Sequence, residues 1–169
     1  MRAVDWTVVP VLNPDGYEYS HTGDRFWRKN RRPPSGANKC HGVDINRNFH
    51  VGHGLGASED SCSEVHQGPA PGSEPETQAL MALGERHNSS LLYYVSLHAY
   101  GQSWLTPWGY KTELVPNMEE LEEVAREAGR EMECQTGRGW VPAREYEVGS
   151  AAEIYYTAGG ASDDWFYER

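Results

Sequence analysis

The run Leu91-Leu92-Tyr93-Tyr94-Val95-Ser96-Leu97 restricts the fold more than any other feature, being short, almost wholly apolar and rich in strand-forming residues. A run of this kind, without polar alternation, predicts a strand buried on both faces, as in a parallel or mixed sheet. Such a strand needs a covering layer on each side. The sequence supplies helices before and after it. Ser73 followed by Glu76 reads as a capping box, and Ala79, Leu80 and Leu83 form the apolar stripe of a helix over about 74 to 87. Pro116-Asn117 opens a second helix, with Glu119 and Glu120 at its positive end and Leu121, Val124, Ala125 and Ala128 on one face. Helices interleaved with buried strands predict an α/β layered fold, a mixed β-sheet flanked by helices, and 169 residues suit one domain.

Ala3 to Val9 reads as a further strand, running into the turn signal Asn13-Pro14-Asp15-Gly16. Met1 to Pro10 lacks the basic, apolar and small-residue parts of a secretory signal, and a start inside a strand leads to the expectation of a truncated chain. Trp27 to Pro34 is a polar loop, and Ser35 to Pro71 is rich in Gly, Ser and Pro, predicting long irregular loops of the kind that carry function. The remainder alternates extended pieces with Gly-rich turns, among them Gly137-Arg138-Gly139 and Gly159-Gly160. No apolar run approaches the roughly 18 residues of a membrane span. A formal net charge of -10 argues against nucleic acid as the main partner. Arg25, Arg28, Lys29, Arg31 and Arg32 nevertheless form a local basic cluster, whose field suits a small anion.

A histidine just beyond a buried strand stands where ligands gather in open α/β sheets, which makes His98 a candidate metal ligand. His50 and His53, with His41 nearby, sit in Gly-rich loop sequence without a paired carboxylate and are not taken as a metal site. Cys40 and Cys62 lie in loop sequence where a bridge could close without breaking a helix or strand, and Cys134 lies at the end of a helical segment.

Phe26-Trp27-Arg28-Lys29, the run from Gly42 to Phe49 containing Asn46-Arg47-Asn48, Ser96 to Gln102 with Pro107-Trp108-Gly109-Tyr110, and Tyr156 to Trp165 occur in one order along the chain. Together they resemble the zinc carboxypeptidases of the A/B type, from Val8 to Trp165. The resemblance implies a secreted, monomeric metallocarboxypeptidase that removes single residues from peptide and protein C-termini. It implies zinc, with His98 as a ligand. Arg28 matches the arginine that stabilises the oxyanion of the tetrahedral intermediate. Asn46 and Arg47 match the pair that grips the terminal carboxylate, a task suited to a planar guanidinium. Tyr100 matches a subsite tyrosine, and Tyr156 the mobile tyrosine that closes over the carboxylate. A one-residue insertion would select Tyr155 instead. The family's loop disulfide falls on Cys40 and Cys62, implying an oxidising compartment and leaving Cys134 as a free thiol. Asp163 falls at the floor of the specificity pocket, as in B-type members that remove Arg or Lys, and one step of register would substitute Asp164.

The chain also departs from this pattern. A catalytic zinc of this type takes two His and one Glu, with water in the open position. No His-x-x-Glu occurs in the sequence, and the family's general-base glutamate would lie beyond Arg169. Ala99 stands where some members carry serine. The expectation is a partial peptidase domain, truncated at both ends and inactive as given. The alternative is a non-catalytic fragment or pseudoenzyme that binds C-terminal carboxylates.

Overall fold

A computed structural model describes residues 4–36, 39–136 and 146–169. Helix α1 is Pro14–Thr22, a 3-10 turn spans Ile45–Arg47, and α2 is Pro75–His87. Strand β1 (Ser103–Thr106), α3 (Met118–Thr136) and β2 (Glu147–Ser150) follow, then the short helices α4 (Ala151–Ile154) and α5 (Ser162–Tyr167). The turn expected at Asn13 to Gly16 is the start of α1. Asn13 accepts a 3.0 Å hydrogen bond from the Gly16 N–H and Pro14 occupies the first turn, so the residues that signal a turn here act as a helix cap. Gly16 is required by packing: a Cβ there would lie 2.6 Å from the Lys29 carbonyl oxygen.

Helix α2 forms where the apolar stripe predicts it, but without the capping box. Pro75 fixes the first turn and Glu74 becomes the cap residue, one step beyond Ser73, so the Ser-Glu spacing no longer fits the motif. Ser73 instead donates to Glu74 at 2.7 Å, and Glu76 accepts from Asn30 at 3.2 Å. Glu74 is buried and also takes Arg32 at 2.5 Å and Asn30 at 2.8 Å, tying α2 to the basic loop. Helix α3 begins after Asn117 as expected, with Ala125 buried and Leu121 and Ala128 half-buried; Val124 is exposed.

The class is α/β, as expected, and the described sheet consists of two parallel strands, β1 and β2, in register from Ser103–Glu147 to Thr106–Ser150. Helix α3 makes the crossover that parallel pairing demands. The main apolar cluster lies elsewhere, formed by Ile45, Phe49, Val51, Leu80, Met81 and Trp165. It joins the 3-10 turn to α2 and α5.

Two expected strands do not form. Residues 91–97 adopt no regular hydrogen-bonded structure and are largely exposed, Leu97 by 91%, with Tyr94 turned inward to stack on Phe166 at 3.8 Å. Residues 4–9 likewise carry no strand, and Trp6 is exposed. A strand exists only through hydrogen bonds to a neighbour, and among the described residues no strand pairs with either segment. The apolar pattern that predicts burial is therefore left facing solvent. The expected turn at Gly137-Arg138-Gly139 and the side chain of Cys134 lie outside the described residues.

Candidate active site

Asp44 starts the site, because its side chain accepts the Asn46 N–H at 3.1 Å and so caps the 3-10 turn. That turn carries Asn46 and Arg47 on a short, rigid element. Behind it, Asn48 is fully buried and donates to the carbonyls of Gln67 at 2.8 Å and Ala70 at 3.0 Å, holding the following loop against the turn. In front of it, Gly160 has φ +73°, and a Cβ there would fall 2.3 Å from the Arg47 carbonyl. Glycine alone fits this crossing. The same segment fixes Asn46, whose side-chain oxygen accepts the Ser162 N–H at 3.0 Å.

Arg47 is buried to 4% exposure, yet its guanidinium has few protein partners. Nη1 donates to the Asn46 carbonyl at 2.7 Å and Nη2 to the Tyr156 hydroxyl at 3.0 Å, while the buried Nε has no hydrogen-bond partner among the described residues. Burying a guanidinium with spare donors is costly unless an anion takes them up. Arg28 lies on the other side of Asp44, donating from Nε to Oδ2 at 2.8 Å with its side chain 40% exposed. The two tyrosines of the pair diverge: the Tyr155 hydroxyl lies 2.8 Å from Ser103 Oγ, away from Arg47, whereas Tyr156 reaches it.

His98 belongs to the same electrostatic neighbourhood. The residue is exposed at its surface, but desolvation of its ring by the atoms packed around it lowers its pKa, and the charges that act on it are those of Asp163, Arg28, Asp44 and Arg47. Its Nε2 lies 2.9 Å from Ser96 Oγ. Asp163 feels His98 and Arg47 in turn; burial pushes its carboxyl up, opposed by the backbone N–H groups at 163 and 164 and by the field of His98 and Arg47. Asp164 is fully buried and accepts the Gly109 N–H at 2.8 Å and the Tyr110 N–H at 3.1 Å. Burial first, and the Asp163 charge second, push its pKa up to about 7. Tyr100 is fully exposed and stands apart from this group.

Cys40 and Cys62 form a disulfide with a Cα–Cα distance of 5.0 Å. Lys29 anchors the bridged loop by donating to the Ser61 carbonyl at 2.6 Å, although the lysine is almost wholly buried.

The profile of the zinc carboxypeptidases matches residues 1–169. This chain belongs to the zinc carboxypeptidase family. It is 41% identical to rat carboxypeptidase B over 98% of this chain and 39% of that protein. Human carboxypeptidase O is 39% identical, over 98% of this chain and 42% of its own length. The solved structure of bovine thrombin-activatable fibrinolysis inhibitor in complex with tick carboxypeptidase inhibitor superposes with a TM-score of 0.85 at 42% identity. That match covers 94% of this chain and 52% of the other. Carboxypeptidase A from Helicoverpa armigera superposes with a TM-score of 0.87 at 31% identity, over 95% of this chain and 38% of the other. The chain thus spans about two fifths of the length of the curated relatives it matches.

The family is a zinc family, but the described residues do not form a zinc site by themselves. Among the described residues no three His, Cys, Asp or Glu side chains come together to hold a metal. Three protein ligands are the minimum for a catalytic zinc, so His98 alone does not fit the requirement. What this family member does contain is one buried carboxylate, Asp44, that pairs with Arg28 through one oxygen and with the other caps the turn carrying Arg47. Sequence reading missed Asp44 as the connecting group and Asn48 as the anchor. The signal for Asp44 was present, since Asp directly before Ile45-Asn46-Arg47 is a favoured cap residue.

Proposed function

We propose that this chain is the carboxylate-recognising part of a metallocarboxypeptidase domain that removes single C-terminal residues, with a preference for Arg and Lys. The observation that carries the reading is the buried Arg47 guanidinium, flanked by Asn46 and Tyr156 and with an Nε that has no partner among the described residues. A terminal carboxylate supplies the charge and acceptors that such a group lacks. Arg28 supplies a second cation for the scissile carbonyl as negative charge develops on its oxygen. Asp163 faces the side chain of the residue to be removed, Tyr156 closes over the carboxylate, and Tyr100 contacts the residue preceding it. His98 contributes one ligand to zinc, and the other two ligands and the general base are not among the described residues. The substrates are peptide and protein C-termini, the working state is a monomer, and the Cys40–Cys62 bridge supports a secreted parent protein.

The absence of a three-ligand group among the described residues favours a second reading for the polypeptide by itself, a non-catalytic carboxylate binder. One experiment addresses both readings. Titrating the purified chain with N-acetyl-L-arginine is expected to show one-to-one binding that Arg47→Ala abolishes, and adding zinc is expected to yield no turnover of peptide C-termini. Binding that survives Arg47→Ala would overturn the carboxylate clamp. Chelator-sensitive release of C-terminal residues would overturn the inactive assignment.

A further inference from the structure

We propose that Asp44 is a positioning residue that holds the two anion-binding arms, Arg28 and the Asn46–Arg47 turn, in fixed register with each other. The inference rests on the carboxylate-clamp reading and adds to it the part that joins its two cations. Asp44 is only 3% exposed, and its two carboxylate oxygens are divided between the arms. Oδ2 takes Arg28 Nε at 2.8 Å, and Oδ1 takes the Asn46 backbone N–H at 3.1 Å. Its backbone is committed as well, with its N–H donating to the His66 carbonyl at 2.8 Å and its carbonyl accepting the Arg47 N–H at 2.9 Å. Asp44 is therefore fixed to both arms and to the segment that follows Cys62.

The choice of nitrogen matters. A guanidinium is planar and its donors point in fixed directions, so a carboxylate that engages Nε orients the plane without occupying both terminal nitrogens. Arg28 remains 40% exposed, so it can meet an incoming oxygen while Asp44 restrains its rotation. The same carboxylate costs anion affinity, because a negative charge beside two arginines weakens their field. An acidic residue is useful there only if orientation outweighs that loss. Orientation is worth most for an anion that must meet both arms together, and least for one that meets Arg47 alone.

The opposing contributions make Asp44→Asn informative, since the amide keeps an acceptor for Asn46 and removes the charge. Two probes are used with the full chain: N-acetyl-L-arginine, which offers a carboxylate alone, and a phosphinate dipeptide analogue ending in arginine, which adds a tetrahedral anion at the scissile position. The wild type is expected to prefer the phosphinate by about tenfold, the value of one charge-assisted contact. Asp44→Asn is expected to retain N-acetyl-L-arginine binding to within about twofold and to lose most of the phosphinate preference. If both probes tighten, Asp44 acts only through its charge and the proposal fails. If both weaken in parallel, its role is merely structural and the proposal also fails. A ligand-free measurement separates this inference from the clamp reading: the Arg28 Nε–H proton is expected to exchange slowly in the wild type, as seen by 15N NMR. Exchange as fast as in free arginine would overturn the Asp44 hold even if N-acetyl-L-arginine binds. Failure of the wild type to bind that ligand, with slow exchange retained, would overturn the clamp reading and with it the functional role assigned to Asp44.

Discussion

Arg47 Nη2 donates a 3.0 Å hydrogen bond to the hydroxyl of Tyr156, 109 positions later in the chain. The contact distinguishes Tyr156, which the gapless register selects, from Tyr155, which a one-residue insertion would select instead. Tyr156→Phe is expected to weaken N-acetyl-L-arginine binding about fivefold, in line with the roughly 1 kcal/mol of a typical hydrogen bond. Tyr155→Phe, which loses only the contact with Ser103, is expected to leave that affinity unchanged. Isothermal titration of both variants decides the matter. The reverse pattern would transfer the substrate-facing role to Tyr155.

The residues of the proposed anion site can be picked out of the sequence because they sit in short, dense motifs whose function depends on side-chain type. Arg28, Asn46 and Arg47 are examples, and the structure brings them around Asp44. Helices α2 and α3 were legible from their apolar periodicity. The run from Leu91 to Leu97 misled, because apolar composition reports what a segment would bury and not whether a neighbour is present to pair with it. Asn13 to Gly16 misled for another reason: Asn, Pro and Asp favour both turns and helix starts, and packing of Gly16 against Lys29 accompanies the helical outcome. Asp44 and Asn48 were passed over because buried polar residues within a motif reveal their task only once their partners are seen.

The Cys40–Cys62 bridge closes a loop of sequence separation 22 that also carries Ser61, the acceptor for the buried Lys29 ammonium. Replacing both cysteines with serine is expected to cost about 3 kcal/mol, the chain-entropy value for a loop of this size. Chemical denaturation of the two proteins measures the loss. Peptide mapping under non-reducing conditions is expected to find Cys134 reduced. A midpoint unchanged by the double replacement would show that Lys29 and the surrounding packing hold the loop without the bridge.

Asp164 should impose a distinctive pH dependence on stability. Its folded-state pKa of about 7 lies above the usual carboxylate range, so the folded protein keeps a proton that the unfolded chain releases at lower pH. Stability from this group is fully present below the unfolded pKa and is lost as pH rises through about 7. Asp163, also pushed up by burial, acts in the same direction. His98, whose pKa is lowered, contributes with the opposite sign, so the comparison must be made against Asp164→Asn. The wild-type advantage in thermal midpoint over Asp164→Asn is expected to shrink between pH 5.5 and pH 8. A constant difference would show that Asp164 ionises normally in the folded protein.

Asp163 is the residue expected to choose the side chain removed. Its neighbour Asp164 is committed to the backbone of Gly109 and Tyr110, which makes it a loop anchor and leaves Asp163 as the carboxylate facing Arg47 and His98. A carboxylate held above its usual pKa by burial gains most from a cationic partner, because the guanidinium of a bound arginine favours the charged form that burial disfavours. Binding arginine should therefore release a proton, and the affinity of N-acetyl-L-arginine should rise with pH until Asp163 is ionised in the free protein. N-acetyl-L-phenylalanine cannot offset the same carboxylate and is expected to bind at least about tenfold more weakly. Asp163→Ile is expected to reverse the order and remove the pH dependence specific to arginine. Asp164→Ile should lower stability instead, because it leaves the buried Gly109 N–H and the half-buried Tyr110 N–H without their acceptor. An Asp163→Ile variant that still prefers arginine would show that the basic preference comes from another residue.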